Sequence, residues 1–357
     1  MRAVFIDGRE QIAVREAPEP QPAVGQVRIR LARVGICGSD LHYYFHGANG
    51  EYVVREPLIP GHELSGTVDA DPSGELAPGT PVTVHPARFG REVPGTEGQP
   101  HLWPGGSYLG SAATWPHTQG AMADLIVVER DMVRSLPAGI DMDLAALAEP
   151  LGVALHGATR AGDLTGARVL VSGAGPIGLL AVIAAQARGA AHVTVTDVLA
   201  QPLERALALG ADAAVRAGTD ELPAEAFDVV LECSGAPAAI SAAAVATRRR
   251  GVIVQVGMVP NEPRGINLAP LISKEIDLRG AFRFNGEIDE AIEILAARPD
   301  VTSVVTHAIP VADVRAAFEL ARDGAVSGKV VVAFDASDAS QLRGGSAAAS
   351  ATSTLDQ

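Results

Sequence analysis

Two different spacings of apolar and polar residues divide this chain. Near the start, residues 3–6 and 12–15 are strand-like, and Asp7-Gly8 between them tolerates positive φ, so the pattern predicts a hairpin. Across residues 26–34, Val27, Ile29 and Leu31 alternate with arginines, the period of a half-buried strand. Residues 64–68 and 80–84 read the same way, with Pro78-Gly79 as punctuation. Residues 1 to about 150 are therefore expected to form a β-rich domain.

From Arg168 the spacing changes. Residues 168–172 predict a buried strand, followed by a glycine turn and an alanine-rich helix from Pro176 to about Arg188. Strand 192–197, helix 201–209, strand 227–232, helix 236–249 and strand 251–257 follow. Strands alternating with helices imply α/β architecture with a parallel, doubly wound sheet. It is expected over residues 151–283, with 284–335 adding two helix–strand pairs that return to the first domain. Residues 86–120 are rich in Pro, Gly, Trp and Tyr without regular period, a long loop of the kind that carries function. Residues 336–357, rich in Ser, Ala and Gly, are expected to be a disordered tail.

Bulk properties narrow the function classes. With 28 Lys and Arg against 42 Asp and Glu, the net charge of −14 disfavours nucleic acid and anionic membranes as partners. The basic run Arg248-Arg249-Arg250 is expected to end a helix, where cations suit the dipole. The first residues lack a signal-peptide core, and no apolar run is long enough to span a bilayer. Two distant cysteines, Cys37 and Cys233, exclude a disulfide framework, so a cytoplasmic protein is expected. Cys233 reads as packing.

The motif Gly173-Ala174-Gly175-Pro176-Ile177-Gly178 follows a predicted strand and opens a helix. Gly173 allows the tight turn, Gly175 lets a pyrophosphate approach, Gly178 permits close packing, and Pro176 sits where its missing N–H costs nothing. The helix N-terminus would face the phosphates. Asp197 ends the next strand, placed for adenosine ribose hydroxyls, and Val198-Leu199-Ala200 offers no arginine for a 2′-phosphate. NAD is favoured, with NADP as the alternative. Ile177 and Val256 complete the expected cofactor-binding set.

Cys37, His62, Glu63 and Glu149 stand in Gly-Ile-Cys-Gly-Ser-Asp, Pro-Gly-His-Glu and Ala-Glu-Pro-Leu. A thiolate, an imidazole and carboxylates that leave one position open make a catalytic zinc site, whereas four cysteines would make a closed structural one. Read alone, each residue has an ordinary alternative as a packed cysteine, a hydrogen-bonded histidine or a surface carboxylate. The adjacency of His62 and Glu63 after Pro60-Gly61, and the loop running from Gly35 to His42, favour the metal.

Together with Gly173 to Gly178, these motifs resemble the zinc-dependent medium-chain dehydrogenase/reductase family over about residues 1–335. Cys37-Gly-Ser-Asp-Leu-His-Tyr-Tyr44 and Ala148-Glu149-Pro150-Leu151 resemble its polyol branch. The resemblance implies a GroES-like catalytic domain beside a Rossmann domain, one catalytic Zn²⁺, and oxidation of a secondary alcohol in a sugar acid or polyol. It makes Cys37 and His62 direct ligands, with Glu63 or Glu149 alternating as the third. Zinc would lower the pKa of the alcohol, hydride would pass to nicotinamide, and the proton would leave by Ser39, the ribose and His42. Tyr43, Arg283 and Phe284 match pocket positions; Arg283 could pair with a carboxylate, although similar arginines occur in relatives that oxidise neutral polyols.

Many relatives close a lobe with four cysteines around a second zinc. No cysteine lies between Cys37 and Cys233, so no structural zinc is expected. That lobe often supports oligomer contacts, which leaves a homo-oligomer an open expectation. Two rival classes are a zinc-free quinone or enone reductase and a non-enzymatic nucleotide-binding protein. Neither needs the ligand set.

Overall fold

The computed structural model describes residues 1–259 and 261–335; the expected tail over 336–357 lies outside them. β1 (Arg2–Gly8) and β2 (Gln11–Glu16) form the antiparallel hairpin. β3 (Gln26–Gly35) is the spine of a seven-stranded sheet. On one side it pairs antiparallel with Glu63–Ala70, which pairs with Pro81–Val84, which pairs with Val133–Ser135.

Two strands share the other edge of β3. Leu125–Glu129 covers residues 26–30, and Lys329–Ala333 covers residues 33–35. Val305–Pro310 then pairs parallel with Lys329–Ala333. The C-terminal region thus returns to the first sheet. Val27, Ile29, Val34, Leu64, Val82 and Val332 pack its core.

The second sheet has six parallel strands in the spatial order Ala213–Arg216, His192–Asp197, Arg168–Ser172, Phe227–Glu232, Thr247–Gln255, Asp277–Gly280. Its strand order reverses on either side of Arg168–Ser172, which opens a crevice at the carboxyl ends. Helix Pro176–Ala187 is buried along most of its length, from Gly178 to Ala185, which is why it is apolar on nearly every face. It packs against helix Ala148–Ala161, which also carries Glu287–Ala297. Each fully buried leucine here, such as Leu151, Leu179 or Leu231, contributes about 1.5–3 kcal/mol of transfer free energy.

Three expectations change. The segment after Cys37 is a helix, α1 (Gly38–His46), not a loop: Cys37 caps it, and the Asp40 carboxylate accepts a hydrogen bond from the Cys37 N–H. The helix expected over 236–249 spans Pro237–Ala246, and Arg248-Arg249-Arg250 lies in strand Thr247–Gln255. The arginines extend a bulged strand whose register shifts against Phe227–Glu232, with Arg248 paired to Asp228. Strands Ala213–Arg216 and Asp277–Gly280, short and only partly apolar, carried no clear alternation. No helix among the described residues is long and apolar enough to cross a membrane.

Candidate metal and cofactor site

Two chain segments converge at the end of β3. Cys37 follows β3 directly and caps α1, while His62 and Glu63 lead into the neighbouring strand, where Glu63 pairs with Gly35. Donor atoms of Cys37, His62 and Glu63 all lie within 4.8 Å of one another. His62 and Glu63 are buried, and Cys37 is half-buried.

These residues fit a divalent ion. His62 Nδ1 is buried without a hydrogen-bond partner, a costly arrangement unless something else binds there. Burial pushes the His62 imidazole down, but the Cys37 sulfur, with Asp40 and Glu149 beyond it, outweighs this and raises it to about 10. The anionic groups around His62 thus favour a positive charge at this spot. Thiolate, imidazole and carboxylate are the donors zinc selects.

Glu149 stands outside that group. It is buried on helix Ala148–Ala161 and accepts a 2.5 Å hydrogen bond from the Tyr108 hydroxyl. Burial raises both Tyr108 and Glu149 above their ordinary values.

Sequence reasoning missed three residues of this site. Lys329 is buried, 2.7 Å from Glu63 Oε1 and 2.6 Å from Oε2; only the first contact is aligned as a hydrogen bond. Asp40, fully buried, accepts from the N–H groups of Cys37 and Gly61, both at 3.0 Å. Tyr108 touches Glu149 and stacks edge-on to His62, 5.3 Å between ring centroids. The position of Asp40 within Cys-Gly-Ser-Asp was an available signal. Tyr108 opens the family-like stretch Tyr108-Leu-Gly-Ser-Ala, without a role assigned to it, and Lys329 had no signal.

Arg283 lies 4.0 Å over the Tyr108 ring, at positive φ. Burial lowers its pKa, and the buried Glu149 carboxylate is the nearby anion that opposes this. Among the described residues it forms no ion pair. Tyr43 is buried, and its hydroxyl accepts from the Ala112 N–H at 3.1 Å. Phe284 is 1% exposed, against Gly152 and His85, so it supports the segment from within the core. Ser39 and His42 lie three residues apart on one face of α1, and His42 is exposed beside His46.

At the crevice of the second sheet, Gly173 has φ +95, and a β-carbon on Gly178 would meet the Gly173 carbonyl oxygen at 1.8 Å. Gly175 caps the helix and faces open space, Pro176 is its first residue, and Ile177 is half-buried behind it. Asp197 accepts from the Ala174 N–H at 2.7 Å and the Leu199 N–H at 2.9 Å. Its partner across the ladder is Arg216, whose Nε lies 3.4 Å from the Val198 carbonyl. The sequence reading sought an arginine only just after Asp197; this one arrives on the next strand. Val256 follows strand Thr247–Gln255 and donates to the Glu232 carbonyl at 2.8 Å. The Glu232 carboxylate, fully buried, shapes the adjoining loop through Gly235 N–H and Gln255 Nε2. Burial and Glu232 raise the Cys233 thiol far above its ordinary value, which leaves it inert.

The cysteine-free lobe is held by other means. Ala87–Arg88 pairs with Ser107–Tyr108, and Trp103 Nε1 donates to the Thr96 carbonyl at 3.0 Å. Asn285 Nδ2 donates to the Gly98 carbonyl at 3.0 Å. His101 is buried edge-on against His156, which lies 2.8 Å from Glu287.

Known proteins resemble this chain over both sheets. Residues 23–138 match the alcohol dehydrogenase GroES-like domain, and residues 176–297 match the zinc-binding dehydrogenase family. L-idonate 5-dehydrogenase (NAD(P)(+)) of Escherichia coli K12 is 36% identical over 93% of this chain and 98% of its own. Sorbitol dehydrogenase of Gallus gallus is also 36% identical, over 90% and 93%. The crystal structure of L-idonate 5-dehydrogenase from Escherichia coli superposes with a TM-score of 0.88 at 34% identity, covering 93% of this chain and 98% of that one. The chain belongs to the zinc-dependent alcohol dehydrogenases of the medium-chain type, oxidoreductases of CH–OH groups.

Proposed function

We propose that this protein oxidises a secondary alcohol of a sugar acid with NAD, most concretely L-idonate to 5-keto-D-gluconate. The observation that carries the acidic substrate is Arg283. A half-buried guanidinium that forms no ion pair among the described residues, stacked over Tyr108, offers a planar fork to a carboxylate. The likeness to L-idonate 5-dehydrogenase supports the same reading.

Cys37, His62 and Glu63 would hold one zinc ion per chain, which when bound supplies a Lewis acid. NAD supplies the hydride acceptor. Tyr108 orients Glu149 beside the donor set. Ser39 and His42 carry the hydroxyl proton toward solvent along α1, helped by an imidazole that partial desolvation and His46 keep below its ordinary pKa. Gly173, Gly175 and Gly178 let the pyrophosphate meet the helix N-terminus, and Asp197 receives the ribose hydroxyls.

A neutral polyol is the second reading, favoured by the equal identity to sorbitol dehydrogenase. Reduction of NAD across L-idonate, D-gluconate, sorbitol and xylitol decides between them. The highest kcat/KM is expected on an aldonate; a preference for sorbitol or xylitol would replace the first reading with the second. No NAD reduction on any alcohol by zinc-loaded protein would remove both.

A further inference from the structure

Glu63 and Lys329 form an ion pair almost closed off from water, with side chains 1% and 4% exposed. Taking two charges out of water costs several kcal/mol per ion, and pairing seldom returns more than it costs. Two apolar side chains of equal volume would brace this position as well or better. Structural strength is therefore a poor reason for the pair.

Its surroundings point to another. Lys329 Nζ also donates to the Ile36 carbonyl at 3.1 Å, on the residue before Cys37. The cation thus touches the main chain leading to one candidate ligand and the carboxylate of another. The backbone beneath the carboxylate is pared to glycine: a β-carbon on Gly35 would lie 2.1 Å from Glu63 Oε2. Of the two glutamates at this centre, Glu149 is held by a neutral hydroxyl and Glu63 by a charge. A divalent ion bound by a thiolate and an unshielded carboxylate would be formally neutral and a weaker Lewis acid.

We propose that Lys329 is a positioning residue for the metal centre. It offsets the charge of Glu63 and holds its carboxylate back, so that Glu63 is a weak, displaceable ligand and the ion keeps positive charge for the substrate oxygen. This rests on the zinc-dehydrogenase reading but not on the identity of the substrate.

The test uses the full protein without substrate or nucleotide, so an error in substrate class cannot affect it. Loss of zinc to excess chelator is followed over time, and the absorption spectrum of the cobalt-substituted protein is recorded. Lys329→Met should release zinc about tenfold more slowly, the scale on which residues behind the ligands change metal retention. Its cobalt bands should shift as Glu63 becomes a full ligand, and Lys329→Arg should restore the original rate and spectrum. In a Glu63→Gln background, Lys329→Met should change neither. If Lys329→Met does not fold, Lys329→Gln, which keeps a donor without the charge, is read the same way. Release at the original rate or faster, with an unchanged cobalt spectrum, would overturn the proposal and leave Lys329 a strut.

Discussion

Asp40 accepts a 3.0 Å hydrogen bond from the Gly61 N–H, and this contact locks α1 onto the turn that presents His62. The other carboxylate oxygen holds the Cys37 N–H. One fully buried carboxylate thus fixes the spacing of two candidate metal ligands that are far apart in sequence.

Asp40→Ala should weaken zinc binding about 10- to 100-fold while leaving the fold intact. Competition with a chromogenic chelator measures this directly. An unchanged affinity would mean that the two loops hold their positions without it.

Arg283→Ala should raise KM for an aldonate by about tenfold or more, the loss expected for a hydrogen bond to a charged group. KM for a neutral polyol should change far less. Equal losses on both substrates would assign Arg283 to packing on Tyr108 instead.

Arg216 stands across the ladder from Asp197, so an adenosine ribose held by Asp197 would bring a 2′-phosphate toward it. Arg216→Ala should lower kcat/KM for NADP about tenfold and leave NAD within about twofold. A parallel fall with both cofactors would show that the arginine does not sense the phosphate.

How much of this was legible in the chain can be argued residue by residue. Gly178 declared itself because its reason is local: any side chain there would strike the turn five residues earlier. The parallel sheet was legible because strands buried on both faces read as apolar runs. Helix α1 was hidden. Its sequence opens with Gly38-Ser39 and continues with three aromatics, and it is tertiary burial of Tyr43, Tyr44 and Phe45 that secures it. Lys329 was out of reach for a different reason. It meets Glu63 across 266 positions, and a lone lysine before an apolar strand looks like any edge residue.

His101 should make the fold sensitive to mild acid. Burial, helped by His156, holds its imidazole down to about 4 from an ordinary 6.5. A group depressed in the folded state adds stability above its unfolded pKa and loses it as pH falls toward the folded one, so the window runs from about 6.5 to 4. The groups facing it are His156, Glu287, Arg160 and His85. The thermal midpoint should drop across that window, and less steeply in His101→Leu. Parallel slopes in the two proteins would place the acid sensitivity elsewhere.

The strand Lys329–Ala333 has a consequence for biosynthesis. It lines the same edge of β3 as Leu125–Glu129, yet about two hundred residues must be translated between them. Until it emerges from the ribosome, part of that edge is bare and Glu63 has no counter-charge. Cys37, His62 and Glu63 all precede residue 64, whereas the cation paired with Glu63 comes only with the strand Lys329–Ala333. Truncation before residue 329 would therefore strip the centre of its cation as well as opening the sheet.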